Sequence, residues 1–318
     1  MNSNKEEKVN TSKLNCDINQ TTLTKSISVI LTFLYLFGAP TVIPYLWRFK
    51  NIENEGIFYF ICSILWHEII WLLPNLFFLI LYKYDFDFFK KYKVNHVNWP
   101  WKNENKEAWY TLLKSSIKLV LFNHFIVVPL LLLPNLIRNK TPYRIDDSFP
   151  SYTEYIIEVV FFIICDDFAF YWSHRFLHIN SIYPLIHKIH HKYQNTVSIA
   201  AEYAHPIEFL LGNVVPANIG AMILGKRVHI ATIYIYLGVK LARTTEHHSG
   251  YEFPWCSLWF LPFAGSSSFH NYHHLYFKGN YGGFFTVWDS ITGTVNKNYL
   301  AVTNSLPENP YDENVKQD

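Results

Sequence analysis

His174-Arg-Phe-Leu-His178 and, nine residues later, His187-Lys-Ile-His190-His191 form the stretch from which the fold is read. On a helix the first two imidazoles stand one turn apart on a single face. The second set, at spacings 0, 3 and 4, puts three imidazoles on one face. Far downstream, His270-Asn-Tyr-His273-His274 repeats that spacing. Eight histidines in such groups are too many for one proton relay and have the pattern of a ligand shell, because neutral imidazole is the commonest protein ligand for iron, zinc and copper. Isolated histidines such as His96 and His229 read instead as helix caps or headgroup contacts.

Working outward, the clusters sit at the end of apolar sequence. Only 16% of the 318 residues are charged, against 18% aromatic, where a soluble domain has roughly a quarter charged. Apolar runs cover Ile27 to Trp47, Ile57 to Tyr82, Ile117 to Ile137 and Tyr155 to Trp172. Each approaches the ~20 residues a helix needs to cross a bilayer core. A fifth stretch, Ile207 to Leu241, breaks at Pro216 and at Gly225-Lys-Arg227; it reads as too short for two spans and too apolar for a soluble loop, hence a re-entrant helical hairpin.

The loop at 83–115 carries Lys83, Lys90, Lys91, Lys93, Lys102, Lys106 and Lys114. The flanking loops carry only Arg48 and Lys50, and Arg138, Lys140 and Arg144. Positive loops stay in the cytosol, so loop 83–115, both termini and the end of the fourth span are expected there, and all three histidine groups can meet on that face. The expected fold is an all-α integral membrane protein: about four transmembrane helices, a re-entrant hairpin and a cytosolic-facing, histidine-rich di-metal helical domain. Residues 1–24 read as a disordered cytosolic tail, 25–153 as a membrane half with three spans, 154–298 as the catalytic domain and 299–318 as a C-terminal tail.

Composition excludes several classes. A net charge of +2, scattered along the chain, gives no nucleic-acid footprint. The four cysteines (Cys16, Cys62, Cys165, Cys256) form no Cys-x-x-Cys pair, which argues against a disulfide framework or a thiolate zinc site. No dinucleotide or P-loop motif is present. Eight or more imidazoles suit two metals better than the three-ligand site of a zinc hydrolase, and a membrane setting favours iron, which can activate O2 where zinc cannot. Asp167 lies seven residues before His174 on the same helical stripe and is expected to orient the ligating histidines from behind. His67-Glu68 and Asn123-His124 interrupt apolar spans; helix–helix hydrogen bonding explains them as well as function does, and they are left outside the expected site. Trp255, Trp259, Phe260, Phe284 and Phe285 read equally as interfacial anchors or as walls of a lipid slot.

The order H-x3-H, H-x2-H-H, H-x2-H-H resembles the fatty acid hydroxylase and sterol desaturase superfamily of membrane di-iron oxygenases. Ala201-Glu-Tyr-Ala-His-Pro206 with Glu208, His248-Ser-Gly-Tyr-Glu-Phe-Pro-Trp255, Gly279-Asn-Tyr281, Trp288-Asp289 and Gly293-Thr294 resemble its C4-methyl sterol oxidase branch over about residues 155–295. That resemblance implies a monooxygenase of the endoplasmic reticulum membrane acting in sterol biosynthesis. Such enzymes oxidise a sterol 4α-methyl group to the carboxylate with O2 and with electrons from NAD(P)H, through cytochrome b5 and its reductase, alongside other C4-demethylation enzymes. It also implies two iron ions held by His174, His178, His187, His190, His191, His270, His273 and His274, with His248 a ninth ligand and His205 a tenth. The doubled His247-His248 leaves two candidates where the family has one; alignment to Ser249-Gly250 selects His248. The alternatives are a related lipid enzyme (a sterol C5 desaturase or fatty-acid hydroxylase) and, in another class, a non-enzymatic membrane metal or haem carrier.

Overall fold

The computed structural model describes residues 22–42, 53–94, 99–102, 106–256, 258, 260–296 and 299. The expected tail up to residue 21, the end of the first span through Trp47, Trp259 and the C-terminal tail beyond Tyr299 lie outside the described residues. Regular structure among the described residues is helical, interrupted only by isolated bridges. Among the described residues four helices are long and apolar enough to cross a membrane: α1 (Thr22–Val42), α2 (Glu55–Tyr84), α3 (Lys106–Ile137) and α5 (Pro206–Arg227). Between and after them come α4 (Tyr152–Leu177), α6 (Ile230–His247), α7 (Ser267–Tyr276) and α8 (Val287–Thr292).

The count of four matches expectation, but its membership differs. The expected fourth span is α4, 26 residues long, with Ser151 and Glu154 forming a capping box at its start. Glu158, Asp166 and Asp167 interrupt its apolar composition, yet Asp166 and Asp167 point inward and are buried. Ile157, Val160, Ile164, Phe168, Trp172 and Phe176 leave an exposed apolar stripe along the whole outer face. The segment expected as a shallow hairpin is a full two-helix hairpin. Its first arm, α5, is itself of spanning length. The second, α6, runs on past Leu241 to His247, because Arg243, Glu246 and His247 are buried against the histidine-bearing segments instead of ending the helix. Helix α5 packs directly on α4, and Gly220 makes this approach possible: a Cβ there would meet Phe162 at 2.8 Å.

Hydrogen bonds sort the helix ends into two groups. At one end Gly56 donates to Asn139 Oδ1, and Arg144 pairs its backbone with Val228 and Ile230. At the other, Tyr82 at the end of α2 donates to Ser249 O, Ser116 of α3 meets Tyr193, and Val94 donates to Gly250 O. All three histidine groups lie at this second end, which also holds the described part of the lysine-rich loop.

One buried ion pair ties α4 to α6. Lys240 Nζ lies 2.9 and 2.7 Å from the two oxygens of Asp166, and Tyr236 donates to the same carboxylate at 2.6 Å. Removing one partner strands the other charge. We therefore expect Asp166→Ala to lose about 3–5 kcal/mol, with much of that loss recovered in Asp166→Ala/Lys240→Met. Thermal unfolding of the two variants in detergent measures the difference; equal losses would show that the pair is not what is being broken.

Candidate metal centre

The nine clustered imidazoles form two adjoining sets. His174, His178, His187, His191 and His273 offer ring nitrogens within 4.8 Å of one another, and so do His190, His248, His270 and His274. The sequence spacing explains the division. Residues four apart share an α-helical face and serve one set: 174 with 178, and 270 with 274. Residues adjacent in sequence point about 100° apart on a helix, so His190-His191 and His273-His274 each straddle the two sets. The reading of 187, 190 and 191 as three rings on one α-helical face gives way to a 3₁₀ turn, His187–Lys192. There His187 and His191 meet at 3.0 Å while His190 reaches His248 at 3.3 Å.

The Nε2 atoms point inward. His178 and His273 meet at 3.0 Å, His270 and His248 at 2.8 Å, and His274 and His270 at 3.1 Å. The outward-facing Nδ1 atoms lie on carbonyl oxygens: Tyr281 for His174, Gly279 for His273, Tyr203 for His190, Thr244 for His248 and Tyr193 for His274. Donation from Nδ1–H to a carbonyl fixes the neutral tautomer whose Nε2 carries a lone pair. Buried lone pairs converging at about 3 Å repel each other unless a cation sits between them. His174 Nε2 is buried with no hydrogen-bond partner. Bonds of ~2.1 Å at tetrahedral to octahedral angles separate ligand nitrogens by ~3.0–3.4 Å, so the donor set fits a pair of metal ions.

Two expected residues lie elsewhere. His205 belongs to neither set; its Nδ1 accepts the amide of Ile207 and caps the start of α5. Asp167 touches no imidazole: its Oδ1 accepts the Phe285 amide at 2.9 Å. The carboxylate found behind the ligands is Glu208, whose Oε1 lies 2.8 Å from His187 Nδ1. Glu208 follows the Ala-Glu-Tyr-Ala-His-Pro segment by two residues, and a one-dimensional reading gave no reason to aim it at a histidine 21 positions earlier. Asp289 acts one layer further out. It accepts from the Tyr281 and Gly282 amides and from Thr294, and so holds the loop whose carbonyls orient His174 and His273. His247 is buried but outside both sets; His248 is the member of the pair that joins one.

A cavity of about 550 Å³ lies between α2, α3, α5 and α6, from Tyr59 and Tyr143 at one end to Lys240 and Thr244 at the other. Lys240 and Thr244 also border a small pocket lined by His248 and His270. The cavity therefore runs from between the helices toward the second histidine set. His67 and Glu202 line it too. The sequence reading left His67-Glu68 and His124 aside, but the structure gathers them into a third group.

The family model described as fatty acid hydroxylase matches residues 159–294, the part of the chain that holds both histidine sets. Methylsterol monooxygenase 2-2 of Arabidopsis thaliana is 35% identical over 73% of this chain and 84% of its own length. C-4 methylsterol oxidase of Schizosaccharomyces pombe is 30% identical over 79% of this chain and 81% of its own. A very-long-chain aldehyde decarbonylase of Oryza sativa is 33% identical over 74% and 84%. The chain belongs to the fatty acid hydroxylase family. Within it, the chain is similar to methylsterol monooxygenases and aldehyde decarbonylases over most of its length. No solved structure matches it.

Burial sets the pH behaviour of the centre. Desolvation pushes the His190 imidazole down from 6.5 to about 4, against the hydrogen bond to Tyr203, and pushes His191 and His274 down as well. As pH falls below 6.5 the unfolded chain takes up protons that these buried rings refuse, so stability drops through the window down to about 4. Thermal unfolding in detergent at pH 7.5 and at pH 5 should show a lower midpoint in acid; a midpoint that is flat or rises would contradict the neutral-ring assignment.

Proposed function

We propose that the chain is a methylsterol monooxygenase that oxidises the 4α-methyl group of a sterol at a non-haem di-iron centre. The observation that carries this reading is the meeting of the lipid-sized cavity with the second histidine set at Lys240 and Thr244. His174, His178, His187, His191 and His273 would hold one ion, and His190, His248, His270 and His274 the other. Iron at such a site supplies redox activation of O2, which zinc cannot. The chain's own part is orientation and exclusion. Backbone carbonyls fix five of the rings and Glu208 faces a sixth, burial keeps the imidazoles neutral, and the cavity would bring a C–H bond to the metals away from bulk water.

Between Tyr59 and Ile70 of α2 the cavity wall covers 12 residues, about 16 Å of helix. Walls from four helices around about 550 Å³ suit a rigid polycyclic body, which favours the sterol reading over aldehyde decarbonylation. A metal or haem carrier would not need that chamber beside its ligands. The reading includes NAD(P)H-derived electrons arriving through cytochrome b5 and its reductase, and an endoplasmic reticulum membrane with the histidine end in the cytosol. The contact between Val94, in the lysine-rich loop, and Gly250 supports that orientation.

The test is growth and sterol profile. Expressed in a sterol auxotroph lacking the C4-methyl oxidase, the chain should restore growth and clear accumulated 4,4-dimethyl sterols. His190→Ala should lower sterol oxidation at least a hundredfold and lose iron. Failure to rescue by a chain that is expressed and iron-loaded would overturn the sterol assignment; full activity and iron content in His190→Ala would overturn the ligand assignment.

A further inference from the structure

We propose that His67, His124 and Glu68 form a third, mononuclear site for a divalent first-row metal ion, separate from the nine-histidine centre. The inference stands on the geometry of this group and does not depend on the sterol reading. Helix α2 supplies His67 and Glu68. Helix α3 supplies His124 from a π-helical turn, Asn123–Val127, the kind of local insertion that re-aims a side chain and recurs at functional sites.

The two imidazoles are held by carboxylates on opposite sides. Glu202, from the 3₁₀ turn Ser198–Glu202, faces both Nε2 atoms: Oε2 lies 2.8 Å from His124 and Oε1 3.3 Å from His67. Donation of Nε2–H to Glu202 from both rings leaves both Nδ1 atoms with lone pairs. Both Nδ1 atoms face one oxygen, Glu68 Oε1, at 3.1 Å from His124 and 3.4 Å from His67. Three metal ligands at bond lengths of ~2.1 Å stand ~3.0–3.4 Å apart, so these separations are those of a ligand set. Two histidines and one carboxylate, with a further carboxylate behind the rings, is a recurrent donor arrangement for zinc and ferrous iron.

Charge and access agree. His124 is fully buried and Glu202 is 3% exposed; two carboxylates flanking neutral imidazoles at membrane depth need two positive charges nearby, which one divalent ion provides. His67 and Glu202 line the 550 Å³ cavity, which gives an ion a route in. Two imidazolium ions between the two carboxylates would balance the charge equally well and bind no metal, so the experiment must separate these two states.

The full-length chain, purified in detergent, would be loaded with Co²⁺, desalted and analysed for metal by mass spectrometry and for visible d–d absorption. Wild type should retain one Co²⁺ per chain more than His67→Gln/His124→Gln, and one more than Glu68→Gln, which keeps the side-chain size and disturbs folding least. Glu202→Gln should bind the third equivalent 10–100-fold more weakly. His190→Ala should lose metal from the nine-histidine centre and keep the third equivalent, so failure of that centre and failure of this site are distinguishable. Identical Co²⁺ content in wild type and Glu68→Gln, with unchanged spectra, would assign the group to an ion-pair ring and overturn the proposal.

Discussion

Nine imidazoles converging on one buried volume are the constraint on which the rest of this structure depends. Nitrogens 2.8 to 3.3 Å apart without protons between them are mutually repulsive, and burial denies the rings the charge that acid would give them. Cations between the rings would relieve that repulsion. The surrounding polypeptide is accordingly organised to hold Nε2 inward: the loop carbonyls of Tyr193, Tyr203, Gly279 and Tyr281 each take an Nδ1. Because a carbonyl cannot donate, backbone geometry sets the tautomer of these rings, whereas His187 faces the Glu208 carboxylate.

That choice transfers the burden to the loops. Non-helical backbone can direct its carbonyls at rings only if it is itself pinned, and buried carboxylates do the pinning. Asp289 takes two successive amides at 281 and 282, and Asp167 takes the amide at 285. Asp166 fastens α4 to α6 through Lys240, keeping His174 on the first helix in register with His248 at the end of the second. The acidic residues that make α4 a poor-looking membrane helix therefore fasten the segments that carry the histidine sets, while its outward stripe remains apolar.

Much of this was legible in one dimension, and the failures have physical causes. The i, i+4 pairs such as His174 with His178 and His270 with His274 are local, so helical periodicity gathers them correctly. Apolar length found three of the four spans and missed α5. What periodicity could not supply was partnership across long separations. Asp167 shares a stripe with His174, yet it spends its acceptor on Phe285 N, because that amide is unsatisfied in the folded loop. Glu208 lies on a different helix from every histidine it could serve. The hairpin looked too short because buried polar residues, Arg243 and Glu246 among them, were counted as its end when they continue the helix into the protein. His67 and His124 were set aside for the same reason: the carboxylate they share, Glu202, lies 78 residues beyond His124.

The division of the chain between metal and cavity bears on substrate choice. Residues 159–294, the region the family model matches, contain the whole nine-histidine centre. The cavity draws on Tyr59, Ser63, Trp66, Val128, Leu131 and Leu132 from α2 and α3, upstream of that region. A metal centre of fixed chemistry and a chamber built partly from other helices can vary independently. Similarity to methylsterol monooxygenases and to aldehyde decarbonylases at nearly the same identity is what such a construction produces. In this chain the nine rings and the apolar walls of the cavity are drawn in part from different segments. Discrimination between a fused-ring body and a long chain is then a matter of packing in α2, α3, α5 and α6. In this chain the side chains that would distinguish those bodies line the cavity between Tyr59 and Thr244, and none of the nine clustered histidines is among them.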